Sequence, residues 1–568
     1  MDKQAVRHTL EQLAAFLELK GESPVRIRAF RNAARAIAGY PADLAQAADS
    51  DALRRLKGVG PATADLVREL LHTGRCSALD ELREHIPPGL VEMLRIPGLG
   101  VAKVRQVHEG LGIESLADLE AAATDGRLAA LSHFGAKTAE NVRKGIAYLR
   151  QSSDLRLFHH ALDETEAVRR ALEALEGVLR VEVAGAVRRR CELIRELALV
   201  AVHGGNGAGA ALVQRLGVAS GVTEIAGKTG AVTLRFTSGT VVDVFLATEA
   251  EFGLCWIRAT GSPAHLEQLE ARARTAGGSL DAGPALSDEE GVYRSLGLAW
   301  IPPELREDEG ELQAAADGSL PRLIERRDLR GFLHCHSNYS DGTVTIAEWA
   351  AACRAEGYEW VGITDHSESA AYGGGLRAED VVRQHAEIDA VNRDAGGIRV
   401  LKGVEADILA DGTLDYGAEV LDRFEFVIGS IHSRFGMSEA EMTRRVLTAM
   451  DDPHLAILGH PTGRLLLQRE PYAIDLEKVL AKAALRGIAV EVNADPHRLD
   501  LDWRAVRRAR ELGVTVSIGA DAHSTGGITN GAVGVGIARK GWLEASQVLN
   551  TRDADAFLAL ARRRRRAG

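Results

Sequence analysis

The chain has 568 residues, more than one hydrophobic core ordinarily serves, so two to four domains are expected. With 46% hydrophobic and 26% charged residues it has the balance of a water-soluble globular protein. A net charge of −11 excludes a uniformly basic nucleic-acid footprint, leaving local patches and backbone amides to hold any polyanion.

Residues 4–150 read as helix punctuated by glycine. Three segments repeat one design of apolar residue, glycine-containing turn and helix start. They are Leu56-Lys57-Gly58-Val59-Gly60-Pro61, Ile96-Pro97-Gly98-Leu99-Gly100-Val101 and, less well, Leu131-Ser132-His133-Phe134-Gly135-Ala136. Gly58, Gly60, Gly98, Gly100 and Gly135 allow close backbone approach, and each helix N-terminus offers N–H groups with partial positive charge. The pattern resembles the helix-hairpin-helix motif, which grips DNA phosphates without reading sequence. Arg26, Arg28, Arg31 and Arg35 surround one upstream helix and are expected to add to that surface.

Residues 151–250 mix helix and strand, and residues 251–318 continue so before a charged linker at 322–330. Here lie Gly185-Ala186-Val187-Arg188-Arg189-Arg190-Cys191-Glu192 and, after the turn Thr237-Ser238-Gly239-Thr240, a strand with Asp243. Gly227-Lys228-Thr229 looks like the end of a phosphate-binding loop. Val222 replaces the earlier glycine, however, and a strand pattern follows, so an ordinary hairpin is expected.

Between residues 331 and 524 an apolar run ends seven times in ligand chemistry: His334-Cys335-His336, Thr364-Asp365-His366, Glu405, His432, His460, Asn493 and Asp521-Ala522-His523. Helical patterns separate most of the runs. Such alternation predicts a parallel β/α architecture whose strand C-termini share one mouth, with a metal site in it. Strand alternation points Cys335 away. Trp360, Trp503 and Trp542 are expected in the core, and the basic run 562–566 in solvent. Five scattered cysteines without a CxxC pair, no run able to cross a bilayer and no secretory leader after Met1-Asp2 point to a reducing cytoplasm.

Thr260-Gly261-Ser262, the stretch Tyr293-Arg294-Ser295-Leu296-Gly297-Leu298-Ala299-Trp300-Ile301-Pro302-Pro303-Glu304-Leu305-Arg306, and the order of the regions carry a resemblance over essentially the whole chain. It resembles a bacterial or archaeal family X DNA polymerase with a C-terminal PHP (polymerase and histidinol phosphatase) domain. The resemblance implies a multidomain fold. An all-α helix-hairpin-helix head comprises an N-terminal helical domain (1–80) and a fingers-like domain (81–150). An α+β nucleotidyltransferase-like palm (151–250) and thumb (251–318) follow, then a β/α PHP barrel of seven parallel strands (331–568). Nine metal ligands are implied: His334, His336, Asp341, His366, Glu405, His432, His460, Asp521 and His523. Nine mixed imidazole and carboxylate ligands suit two or three divalent ions, Mn²⁺, Zn²⁺ or Fe²⁺. Arg464, Asn493 and Arg498 match supporting catalytic positions, whereas His385, His454 and His497 match none.

The family's nucleotidyl-transfer signature begins Gly-Ser, places arginine three residues on, and then a strand bearing Asp-x-Asp. Here Ala186 replaces the serine, Arg189 remains, the paired carboxylates become Glu196 and Ala198, and the third survives as Asp243. Carboxylates two apart on a strand share a face toward Mg²⁺, so losing one removes half of that grip. Mg²⁺ is therefore not expected at the palm, and Arg189, Glu196 and Asp243 are read as remnants. Leu66 stands where lyase-active members carry a Schiff-base lysine, so lyase activity is not expected. The function implied is DNA repair by a metal-dependent 3′–5′ exonuclease, with DNA held through its backbone and polymerase activity lost or weak. Two alternatives stand beside it: a gap-filling polymerase using Glu196 and Asp243, and a small-molecule phosphatase on a DNA-binding scaffold. No membrane partner is expected.

Overall fold

The computed structural model describes residues 3–38, 44, 52–56, 58–96, 98–152, 154–204, 208–217, 222–228, 230–236, 240–280, 286–370, 373–394 and 396–567. Met1, Asp2, Lys57, Pro97, Thr229 and residues 237–239 lie outside these, as do the side chains of Arg35 and of the run 562–566. The chain divides into two compact units, Met1–Asp154 with Leu467–Arg469 and Leu155–Leu466 with Glu470–Gly568.

The described residues between 3 and 152 form helices joined by short turns, as expected. Helices Lys3–Leu19, Pro24–Ala38, Pro61–Thr73, Ser77–His85, Val101–Leu111, Leu116–Asp125 and Ala136–Ser152 enclose one apolar core. Helical spacing supplies it: Val6, Leu10, Leu13, Ala14 and Leu17 on the first helix are all buried.

The second unit begins with a two-stranded pair, β1 (Arg156–Leu157) against β3 (Leu193–Ile194), and a five-stranded sheet. The sheet comprises β2 (Val178–Val183), β4 (Leu197–His203), β5 (Val222–Lys228), β6 (Ala231–Phe236) and β7 (Val241–Thr248) in the order β2-β4-β7-β6-β5. Only β4 and β7 pair in parallel. β5 and β6 are the expected hairpin, with Lys228 opposite Ala231.

All seven apolar runs of the C-terminal region are strands. They are β8 (Gly331–Cys335), β9 (Trp360–Ile363), β10 (Arg399–Asp407), β11 (Phe426–Ser430), β12 (Leu455–Leu458), β13 (Ala489–Asn493) and β14 (Val516–Ala522). Every neighbouring pair is parallel, and β14 pairs with β8 to close a barrel. Leu333, Trp360, Leu401, Phe426 and Ile457 pack with Phe557 and Leu558 of the helix Ala554–Ala567. The strand C-termini therefore open on one mouth.

Sheet and barrel are joined within this unit. Val533, on the barrel helix Asn530–Lys540, packs against the sheet core. Glu307 accepts from both Arg189 and Lys540, and Arg539 pairs with Glu304 at 2.7 Å. No helix among the described residues is long and apolar enough to cross a membrane.

Candidate functional site

All nine side chains expected as ligands converge on the barrel mouth. His334 and His336 stand at the end of β8, and His366, His432 and His460 follow β9, β11 and β12. Glu405 and Asp521 lie within β10 and β14, and Asp341 and His523 on adjoining loops. Glu405 is central: Oε1 lies 3.2 Å from His334 Nε2 and 3.0 Å from His460 Nε2, and Oε2 lies 2.9 Å from His366 Nδ1. His336 Nε2 is 3.2 Å from Asp521 Oδ1, and His523 Nε2 is 3.2 Å from Asp341 Oδ1. The donors form four overlapping groups within 4.8 Å: His336–Asp341–His366–His523, His334–Glu405–His460, His334–His336–Asp521 and His366–Glu405–His432.

The donor chemistry fits cations. His334 and His336 are fully buried, yet neither ring nitrogen of His336 nor Nε2 of His334 has a hydrogen-bond partner. An unpaired buried polar atom costs about 1–3 kcal/mol, which coordination would offset. Cys335 takes no part: its thiol donates to the Gly362 carbonyl at 3.4 Å.

Burial opposes charge throughout the cluster, and its neighbours decide each outcome. At His366 burial is outweighed by Glu405 and Asp341, which lift the imidazole to about 10. At His432 it is outweighed by Glu405 and Asp407, to about 9. His336 falls to about 3, because burial is joined by repulsion from His523 and His366. Glu405 and Asp521 stay far below the usual carboxylate range, their burial overcome first by the His334 charge. Protons and divalent cations compete for the same nitrogens here.

The loop carrying His336 and Asp341 is pinned by the buried Asp365, which accepts from Ser337 N and Oγ, Ser340 Oγ and Gln384 Nε2. Asn493 Nδ2 donates to Asp521 at 3.1 Å, and Arg498 Nε lies 3.2 Å from the same oxygen. Arg464 differs from expectation. It donates to the carbonyls of Arg498 and Leu499 and pairs with Glu192, so its guanidinium is occupied in tying loops together. Two acids were missed by sequence reasoning: Glu491, bonded to His334, and Asp407, bonded to His432. Each lies two residues from a residue already singled out, on the same strand face, which is the signal that was available.

The palm keeps two acids, Glu196 and Asp243, with a methyl group at Ala198. Glu196 precedes β4 and is exposed, while Ala198 lies across from Asp243, which accepts from Thr233 Oγ1 at 2.5 Å. Neither acid belongs to any cation-competent group among the described residues. Arg189 is likewise not open to a phosphate: it bonds Glu307 at 2.8 Å and the Thr260 carbonyl at 2.6 Å. Arg188 lies over Trp256, 3.4 Å from the ring centroid, and pairs with Glu289.

In the head, Gly58 and Gly98 take positive φ of 98° and 78°, and Gly60 and Gly100 cap the next helices with no side-chain hydrogen bond. In the third turn His133 adopts the same left-handed conformation, φ 63°, without being glycine. Val59, Leu99 and Phe134 plug the three turns into the core. Among the described residues no atom lies within 4 Å of a Cβ placed on Gly60, Gly98, Gly100 or Gly135, so these backbones have room beside them. Leu66 lines a cavity of about 480 Å³ with Lys20, Arg26 and Thr63.

Comparison with known proteins agrees with this layout. The family described as "Helix-hairpin-helix domain" matches residues 1–76, "SAM-like Helix-hairpin-helix tandem" residues 90–147, and "PHP domain" residues 333–495. The chain is 34% identical to the DNA polymerase/3′-5′ exonuclease PolX of Bacillus subtilis, over 98% of this chain and 99% of that protein. It is 28% identical to a probable phosphatase of Caldanaerobacter subterraneus, over 32% of this chain and 70% of that protein. A probable phosphatase of Thermoanaerobacter sp. is 25% identical, over 36% of this chain and 84% of its own length.

Proposed function

Because the chain belongs to the bacterial family X DNA polymerases that carry a PHP domain, we propose that it is a DNA repair protein that removes nucleotides from 3′ ends at its barrel mouth. One observation carries this reading: six imidazoles and three carboxylates, from distant parts of the chain, meet in overlapping groups at one opening. Two or three ions, Mn²⁺, Zn²⁺ or Fe²⁺, would be held by His334, His336, Asp341, His366, Glu405, His432, His460, Asp521 and His523. When bound, such ions neutralise phosphate charge and raise the acidity of water. Glu405 belongs to two of the groups and would help to hold the ions there, while Arg498 beside Asp521 supplies a fixed positive charge.

The helical head, residues 1–80 and 81–150, holds DNA through the backbone amides that follow Gly60, Gly100 and Gly135. The palm (151–250) and thumb (251–318) serve as scaffold for the barrel (331–568), with polymerisation lost or weak because Ala198 replaces a ligand. Five unpaired cysteines are in keeping with a reducing cytoplasm.

The test is hydrolysis of end-labelled DNA by the full chain with Mn²⁺. Shortening from the 3′ end that falls by at least ~10³-fold in His334→Ala and Asp521→Ala is the expected result. Full activity in both variants refutes the assignment. Hydrolysis of small phosphate monoesters without attack on DNA would favour the reading suggested by the probable phosphatases that match the barrel.

A further inference from the structure

We propose that Glu491 is a positioning residue of the barrel mouth. It fixes the His334 ring and the His460 backbone so that Nε2 of each ring faces the cluster. The proposal rests on reading that mouth as a cation site.

Glu491 lies on β13 and is fully buried. Its Oε1 is 2.5 Å from His334 Nδ1. Its Oε2 accepts from the His460 backbone N–H at 2.7 Å and from Asn493 Nδ2 at 3.3 Å. Both oxygens are thus engaged inside the protein, which sets Glu491 apart from Glu405. With Nδ1 committed to Glu491, His334 turns Nε2 toward the cluster, 3.2 Å from Glu405 and 3.7 Å from Asp521. A carboxylate behind a ligating histidine orients the ring and raises its basicity.

Two further observations agree. A Cβ on Gly519 of β14 would lie 1.8 Å from Glu491 Oε1, so a glycine makes room for the carboxylate between strands. His334 and His460 adopt positive φ, 58° and 22°, a region non-glycine residues rarely occupy unless the surroundings hold them there. Glu491 bonds both. Asp407 repeats the arrangement at His432, 2.6 Å from Nδ1 while Nε2 faces Glu405.

The experiment is calorimetric titration of Mn²⁺ into chelator-stripped full-length chain, with the Co²⁺-substituted absorption spectrum as a second readout. Glu491→Ala is expected to weaken Mn²⁺ binding by about 10–100-fold and alter the Co²⁺ bands. Glu491→Gln should fall between, because its oxygen still accepts from His334 while its amide opposes the His460 N–H. Gly519→Ala should weaken binding with the carboxylate retained. Melting of the stripped proteins identifies any variant that fails to fold, and the remaining variants then decide the matter. A merely structural role would lower the melting temperature and leave Mn²⁺ affinity alone. Wild-type affinity in folded Glu491→Ala, or in folded Glu491→Gln and Gly519→Ala, overturns the proposal. A wild-type chain that binds no Mn²⁺ overturns the cation reading beneath it as well.

Discussion

Ala198 stands directly opposite Asp243 in the parallel pair of β4 and β7, so the position where a second carboxylate would meet a shared cation carries a methyl group. Template-directed incorporation of dNTPs is therefore expected to be absent or at least ~10²-fold below that of an intact site, as for loss of one charge-stabilising group. Asp243→Ala should leave DNA hydrolysis unchanged. Primer extension with Mn²⁺ checks both statements, and robust extension lost in Asp243→Ala would show a working palm.

The capping glycines separate stability from DNA binding. Gly60 and Gly100 have φ/ψ of −80°/165° and −69°/170°, which any residue adopts, and space for a side chain. Aspartate is a good N-cap and complements the helix dipole, yet repels phosphate. The double variant Gly60→Asp/Gly100→Asp should melt no lower than wild type while binding duplex DNA at least ~10-fold more weakly, since phosphate contacts dominate such affinity. Fluorescence anisotropy at fixed salt measures the loss.

Glu289 predicts acid sensitivity. Burial raises its carboxyl, but Arg306 and Arg188, each bonded through two nitrogens at 2.6 and 2.8 Å, bring it from 4.5 down to about 2. A carboxyl lowered by folding contributes its stability fully above pH 4.5 and loses it as pH falls toward 2. Between those limits wild type should lose more stability than Glu289→Gln. At pH 7, Glu289→Ala, which strands the buried Arg306 guanidinium and removes the partner of the part-buried Arg188, should cost about 3–5 kcal/mol. Thermal unfolding at pH 7 and pH 3 reads both.

Chelation should destabilise the second unit and abolish hydrolysis together. Restoring Mn²⁺ at a hundred times its dissociation constant should return about 2.7 kcal/mol per site. Scanning calorimetry with and without EDTA checks this. An unchanged melting profile would show that no ion contributes to the fold.

The barrel was legible because strands of a parallel sheet are buried on both faces and read as unbroken apolar runs. Their shared mouth made a histidine or acid at each C-terminal end meaningful. The roles of Glu491 and Asp407 were not legible. An acid inside a strand looks the same whether it faces a cation or a histidine, and here the difference depends on Gly519, a residue of the neighbouring strand. Arg189 and Arg464 show the same limit. Their charge is local, but the partners that occupy them, Glu307 and Glu192, lie 118 and 272 positions away. His133 gave no sign that it would adopt the backbone its glycine counterparts use.

The strand that closes the ring against β8 also carries Asp521 and leads to His523. During synthesis the head and palm emerge first and fold early, as N-terminal domains do. The helical head can therefore be in place before the donor cluster of the barrel is complete. That cluster closes only when the last stave of the barrel has been translated, so a chain ending before β14 lacks Asp521 and His523, two of the nine donors that meet at the mouth.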